Sequence, residues 1–169
     1  MKEISKIAEE VQASTTLMVD ALYKQMLADG KDVVGFGAGE PDFDTPDKIK
    51  SAANKAIREG NTKYTPSSGV PALKKAVADR LMADCGINYT PDQIVVASGA
   101  KHNIYITLQT LINIGDEVIL PAPYWVTYAE AIKMAGGVPV IISAPESSDF
   151  KISKEQLESA VSDKSSCLS

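Results

Sequence analysis

The chain is short of the residues from which most hydrolytic and metal-dependent sites are built. Its 169 residues include one histidine, one tryptophan and two cysteines. A lone histidine, His102, cannot supply a multi-histidine metal cage, and no partner residue nearby marks a catalytic triad. It reads as a residue of a helix surface or an interface. Cys85 and Cys167 match no metal-ligand spacing and read as two reduced thiols of a cytoplasmic protein. Arginine is scarce too: Arg58 and Arg80 fall near the polar faces of amphipathic segments, and neither is placed as a substrate clamp. Excess positive charge is absent, with a net charge of −5 and a pI near 4.9, which argues against a nucleic-acid partner. No apolar run approaches 18 residues, so no membrane span is expected. The opening MKEISKIAEE carries acidic residues and no continuous apolar core, unlike a secretory leader. There is no internal repeat and no low-complexity segment.

What remains is ordinary globular composition, 44% hydrophobic and 23% charged. A compact domain of this length buries roughly 70% of the surface of its unfolded chain. Ile4, Ile7, Val11, Leu17, Leu22 and Met26 form an approximate helical stripe, predicting a helix over 3–29 that stops at Gly30. The Gly- and Pro-rich VVGFGAGEPDFDTP reads as a loop, with a short strand at 33–36. A helix over about 46–59 is expected behind Thr45-Pro46, and another from Pro71 to about Cys85. From residue 94 the pattern alternates. Strand 94–97 precedes a helix over 101–112, and strand 117–120 precedes a helix within YAEAIKMAGG. VPVIISAP then gives a strand and SKEQLESAV a short helix, with Ser153 and Gln156 in capping-box spacing. Such alternation predicts an α/β fold with a parallel sheet and covering helices. A strand should follow the last helix, but none is legible in residues 164–169, and the architecture reads as cut.

Four stretches are placed to carry chemistry. In VVASGAKHN, a buried strand runs into Ser98-Gly99 and turns at once into a helix. Gly99 permits a tight turn, and the amides of Ala100, Lys101 and His102 would open the helix without acceptors, as an anion site requires. Similar junctions in α/β proteins also bind nothing. The spacing is neither a P-loop nor a dinucleotide fingerprint. In LPAPYWVTY, Trp125 follows the carboxyl end of a strand, where sheet ligands lie in this fold class; it is suited to stacking on a flat ring or to packing under a loop. In GAGEPDF, two glycines precede a rigid turn, which is either a ligand contact or a surface connection. In TKYTPSSG, the hydroxyl of Tyr64 has the reach to meet an anion, or the ring is merely half buried.

In this order and spacing, GAGEPDFDTP, TKYTPSSGVPALKKAV, VVASGAKHNIY and GDEVILPAPYWVTYAE resemble class I aminotransferases of the aspartate aminotransferase type, which are pyridoxal-phosphate enzymes of fold type I. The resemblance covers essentially the whole chain but less than half of the family's usual length. It implies that residues 1–45 are an N-terminal arm and small-domain segment, and residues 46–169 part of the large pyridoxal-phosphate-binding domain. Gly99, Ala100 and Lys101 would match the cradle for the phosphate of pyridoxal 5'-phosphate, and Trp125 the aromatic that stacks on its ring and borders the substrate. Gly39 would offer its backbone to the substrate carboxylate. Tyr64 would reach the phosphate of a neighbouring subunit, which implies a homodimer with shared sites. The implied reaction moves an amino group between an amino acid, aspartate-like, and a 2-oxo acid.

The resemblance also implies what these residues do not contain. The family's asparagine and aspartate partners of the ring, its Schiff-base lysine with a preceding serine, and its carboxylate-clamping arginine match nothing here. Two alternatives to an active transaminase therefore stand: a truncated, non-catalytic product, and a carbon–sulfur lyase of the same fold. In the family's sheet, strand 94–97 pairs with a strand from much later in the chain, so its backbone groups are expected to lack that partner here. Strands 117–120 and 139–143 are expected to be neighbours.

Overall fold

The computed structural model describes residues 4–37 and 39–168, without the side chains of Cys167 and Leu168. In chain order the helices are α1 (Lys6–Glu10), α2 (Thr15–Ala28), α3 (Asp47–Arg58), α4 (Pro71–Cys85), α5 (Ala100–Leu111), α6 (Val126–Met134) and α7 (Lys154–Ala160). The strands are β1 (Glu117–Ala122), β2 (Val138–Ser143) and β3 (Ser165–Leu168). The chain forms two compact units, Met1–Gly37 with Ser98–Ser169, and Ala38–Ala97. This grouping follows contacts within the chain and does not fall at the 45/46 division expected for the domains of the longer fold.

The sheet belongs to the first unit, has the order β2-β1-β3, and is parallel throughout. Glu117 lies opposite Val138 and Ala122 opposite Ser143 in one continuous register, while the pairing to β3 slips between Glu117 and Val118. Val118, Ile119 and Leu120 are consecutive and all buried, the mark of a parallel strand covered on both faces. Leu108 and Ile112, from α5 and its C-terminal end, close on Val118 and Leu120 together with Ala129, Ala131 and Ile132 of α6. Burying each of the larger side chains contributes about 1.5–3 kcal/mol, so this cluster is what holds the end of β1 in place. β2 is an edge strand, and Val138 and Ile141 on it are half exposed.

The second unit holds α3 and α4, a single 3-10 turn at Pro91–Gln93 and the extended segment that follows. Pro71 opens α4 and Gly86 closes it in the left-handed conformation, as proline-first, glycine-last chemistry dictates. Ser153 caps α7 in the expected capping box with Gln156.

Four expectations change. The helix foreseen over 3–29 is two helices, because Ser14 caps a new start with its hydroxyl, 3.4 Å from the amide of Leu17; residue 3 lies outside the described residues. The stretch 33–36 forms no strand, with Val34 and Phe36 exposed. Residues 94–97 are extended but belong to no sheet. No neighbouring strand is present for them among the described residues, and the amide of Val96 instead donates to the carbonyl of Ser68 at 3.0 Å. Conversely, a strand does follow α7. β3 lies along β1, where its mainly small, polar residues carry no apolar signature of their own. Ser169 falls outside the described residues.

If the β1 cluster is the anchor of the first unit, Leu120→Ala lowers its stability by about 2–5 kcal/mol, while Leu17→Ala on the exposed face of α2 shifts it by no more than about 0.5 kcal/mol. Urea unfolding followed by circular dichroism distinguishes the two.

Candidate active site

The turn that opens α5 is set by one residue. Gly99 has φ 88° and ψ 168°, a backbone conformation essentially closed to residues with a Cβ. Its carbonyl accepts the first helical bond, from the amide of Asn103 at 3.3 Å. The amides of Ala100, Lys101 and His102 therefore precede the first acceptor of their own helix. No side chain caps this end, and no acidic residue lies in the first turn. A Cβ built at Gly99 would meet no atom within 4 Å. The space around Gly99 is open, and it is the positive φ that calls for glycine here. Three unspent donors, the positive end of a helix and free space fit an anion of phosphate size.

His102 has a role that its sequence position did not reveal. Its Nδ1 accepts a hydrogen bond from the amide of Ser98 at 3.3 Å. The neutral ring then carries its proton on Nε2. The imidazole ties the residue before the turn to the third residue of the helix, as a side-chain cap would, but from inside the helix. The separation Ser98–His102 is the signal: one helical turn brings an i+4 side chain back over the entering chain.

Lys101 links this end of α5 to the end of β1. Its Nζ lies 5.5 Å from the centre of the Trp125 ring, within range of a cation–π contact. Trp125 is the N-cap of α6, two residues after the cis Ala122–Pro123 peptide. Tyr124 packs against the core cluster, whereas the indole itself is 48% exposed. An apolar hollow of about 540 Å³ runs beside it, lined by Ile104, Leu120, Tyr124 and Tyr128 among others. A second hollow of about 580 Å³ shares Tyr124 and is bordered by Lys101, Tyr105, Ser14 and Glu130. Both are of the size that small-molecule sites occupy. The head of Lys101 is thus brought to Trp125, and Gly99 and Ala100 are its chain neighbours at the helix start.

Gly39 and Tyr64 belong to the other compact unit. The backbone at Gly39 is exposed, with no atom within 4 Å of a Cβ built there, and the Tyr64 ring is fully exposed. Among the described residues no group of histidine, cysteine, aspartate and glutamate could hold a metal ion, and no helix is long and apolar enough to cross a membrane.

The N-terminal segment is tied to the same region by Glu130. One carboxylate oxygen accepts from Lys133 at 2.8 Å and the other from the backbone amide of Gln12 at 3.0 Å. The Lys133 hydrogen bond first, and the Gln12 amide second, hold this carboxyl below the usual glutamate range against the opposing effect of its burial.

The structure is that of an α/β protein with a parallel sheet, in which an uncapped helix start and a half-exposed tryptophan follow strands of the alternating pattern. The sequence profile of the family described as "Aminotransferase class I and II" matches residues 31–168. The chain belongs to that family. It is 48% identical over 169 residues to the aspartate aminotransferase of Bacillus sp. (strain YM-2), covering 99% of this chain and 43% of the relative. It is 48% identical to the aspartate aminotransferase of Bacillus subtilis (strain 168), covering 96% of this chain and 42% of that one. The structure of aspartate aminotransferase from Thermus thermophilus with maleate superposes with a TM-score of 0.95 at 35% identity, covering 99% of this chain and 44% of that chain. The chain therefore spans well under half the length of the relatives it matches.

Two outcomes follow from this geometry. Gly99→Ala should destabilise the turn by about 1–3 kcal/mol and abolish measurable phosphate binding, read by calorimetry, whereas Gly60→Ala, also at positive φ but outside this turn, costs stability without touching the anion. The Glu130 clasp is strongest with the carboxyl ionised, because its folded-state pKa is lowered. Its contribution is complete above the ordinary glutamate value and is lost as pH falls through the lowered one. The hydrogen-exchange protection factor of the Gln12 amide should stay constant near neutrality and collapse on acidification. In Glu130→Gln it should be low throughout.

Proposed function

We propose that this chain supplies the phosphate-cradle and ring-face half of a pyridoxal-phosphate-dependent transaminase site, of the kind that moves an amino group between an amino acid and a 2-oxo acid. The observation that carries the reading is the juxtaposition of three donor amides after Gly99 with the Lys101 ammonium over the Trp125 ring. The amides of Ala100, Lys101 and His102 hold the dianionic phosphate, and the Lys101 ammonium adds charge within its reach. The indole of Trp125 would hold the cofactor by stacking on its ring and would border the substrate. When bound, pyridoxal 5'-phosphate supplies an electron sink for the pair left on the substrate carbon. The hollow beside Tyr124 and Tyr128 is mostly apolar and would present a greasy wall to the ring face. Gly39 presents backbone to the substrate carboxylate, and Tyr64 reaches the phosphate bound by a second copy of the protein, which makes the working assembly a homodimer in the cytoplasm.

In this reading residues 1–45 are the arm and small-domain segment, and 46–169 part of the large domain. The substrate class is dicarboxylic. This rests on the aspartate aminotransferases at 48% identity and on the similar Thermus thermophilus enzyme, whose structure was determined with maleate, itself a dicarboxylate.

A second reading, a cofactor-binding chain without catalysis, is favoured by one specific feature. None of the lysines in these 169 residues matches the family's lysine motif, although Lys6 and Lys154 each follow a serine, and that lysine is the group that would accept the proton from the substrate carbon. The two readings share the cradle and part at the lysine. Titration with pyridoxal 5'-phosphate should show binding that inorganic phosphate competes away, and Lys101→Ala should weaken it about 10- to 100-fold, the loss of a charged hydrogen bond. Borohydride treatment followed by peptide mass spectrometry should find no lysine labelled in full. A single stoichiometric pyridoxyl lysine together with turnover of aspartate would overturn the non-catalytic reading, and undiminished binding in Lys101→Ala would overturn both.

A further inference from the structure

Among the described residues, Lys74 is the buried charged one, 8% exposed, on α4 in the second unit. An ammonium withdrawn from water is costly unless it is partnered. The partner described for this one is neutral: its Nζ donates to the hydroxyl of Ser68 at 3.1 Å. The stem of the same side chain borders the next residue, since a Cβ built on Gly69 would lie 3.7 Å from Lys74 Cγ.

Two further contacts converge on this pair. The amide of Gly69 donates to the carbonyl of Pro66 at 3.0 Å and closes a turn over 66–69. The amide of Val96 donates to the carbonyl of Ser68, also at 3.0 Å. Gly69 itself has φ 108°, and a Cβ there would strike Val96 Cβ at 2.8 Å. The turn is therefore pinned on three sides: by a helix through Lys74, by the extended segment through Val96, and by its own backbone. Two residues before that turn stands Tyr64, fully exposed. An exposed ring on an unpinned Gly/Pro-bounded loop would sample many directions. On this loop the turn that follows the ring is held in place.

We propose that Lys74 is a positioning residue for Tyr64: its head and stem clamp the Ser68–Gly69 turn, so that the tyrosine is presented outward in one direction toward the phosphate of a second copy. The clamp stands on the geometry of the second unit alone, whereas its purpose rests on the reading of Tyr64 given above.

The test uses hydrogen exchange on the full chain. In Lys74→Met the amides of Gly69 and Val96 should lose protection by on the order of tenfold or more, the loss expected when a hydrogen bond to a charged group is removed. Amides within α4 should keep theirs, and Lys74→Arg, which retains donors, should restore Gly69 and Val96. Unchanged protection in Lys74→Met overturns the proposal. If α4 itself loosens in that variant, Ser68→Ala decides, because it leaves the helix intact: local loss at Gly69 and Val96 supports the clamp, and no loss overturns it. Affinity for pyridoxal 5'-phosphate separates the purpose from the clamp. Lys74→Met should weaken it as Tyr64→Phe does, with Lys74→Arg recovering it. If Tyr64→Phe binds the cofactor as tightly as the parent, the role of Tyr64 fails while the exchange result still judges the clamp.

Discussion

The proposed phosphate cradle depends on a backbone angle. With φ at 88°, Gly99 turns the chain into α5, whose first three amides have no acceptor in their own helix. One residue into that helix, Lys101 extends over an indole whose own position is fixed from another direction, by the buried run Val118–Leu120 and by Tyr124. A change at Gly99 would move the amides and the ammonium together. A change in the β1 cluster would move the indole away from both. The site is thus the meeting point of a local conformational constraint and a long-range packing constraint, and neither alone produces it.

Much of this was legible in the residues, and the reasons differ from element to element. α4 announces itself with Pro71 at its start and a glycine past its end, α7 with a capping box, and β1 with a continuous apolar run. The same physics that forms these elements writes them into the sequence. β3 was illegible because its place comes from β1 beside it and not from any apolar pattern of its own. The segment 94–97 shows the reverse case, expected as a strand but one without its partner. Ile94 and Val95 have strand-like side chains, but strand formation needs a neighbour, and here the Val96 amide is satisfied by Ser68. The break between α1 and α2 was hidden because Ser14 interrupts an apolar stripe without disturbing its period.

In the candidate site, Gly99, Ala100, Lys101 and Trp125 were named through the resemblance of four stretches to the aminotransferase family, because local pattern alone left a plain structural role open at each. What could not be read was their spacing in space. The 5.5 Å between Lys101 and the ring follows from how α5 and α6 pack on the sheet. The roles of His102, Glu130 and Lys74 were equally hidden. Each depends on a partner, Ser98, Gln12 or Ser68, whose approach is a property of the fold. For Glu130 the partner is 118 positions away in sequence. Membership of the aminotransferase family and the match to less than half of its members' length set the frame within which these residues act.

The chain has a single tryptophan, and it sits beside Lys101. Its emission therefore reports on one place in the molecule and no other. A positive charge beside an indole, or an absorbing ring laid against it, perturbs that emission directly, so the arrival of a guest and the displacement of the lysine head are both visible without any added label. The molecule comes with an intrinsic optical probe at its most informative position.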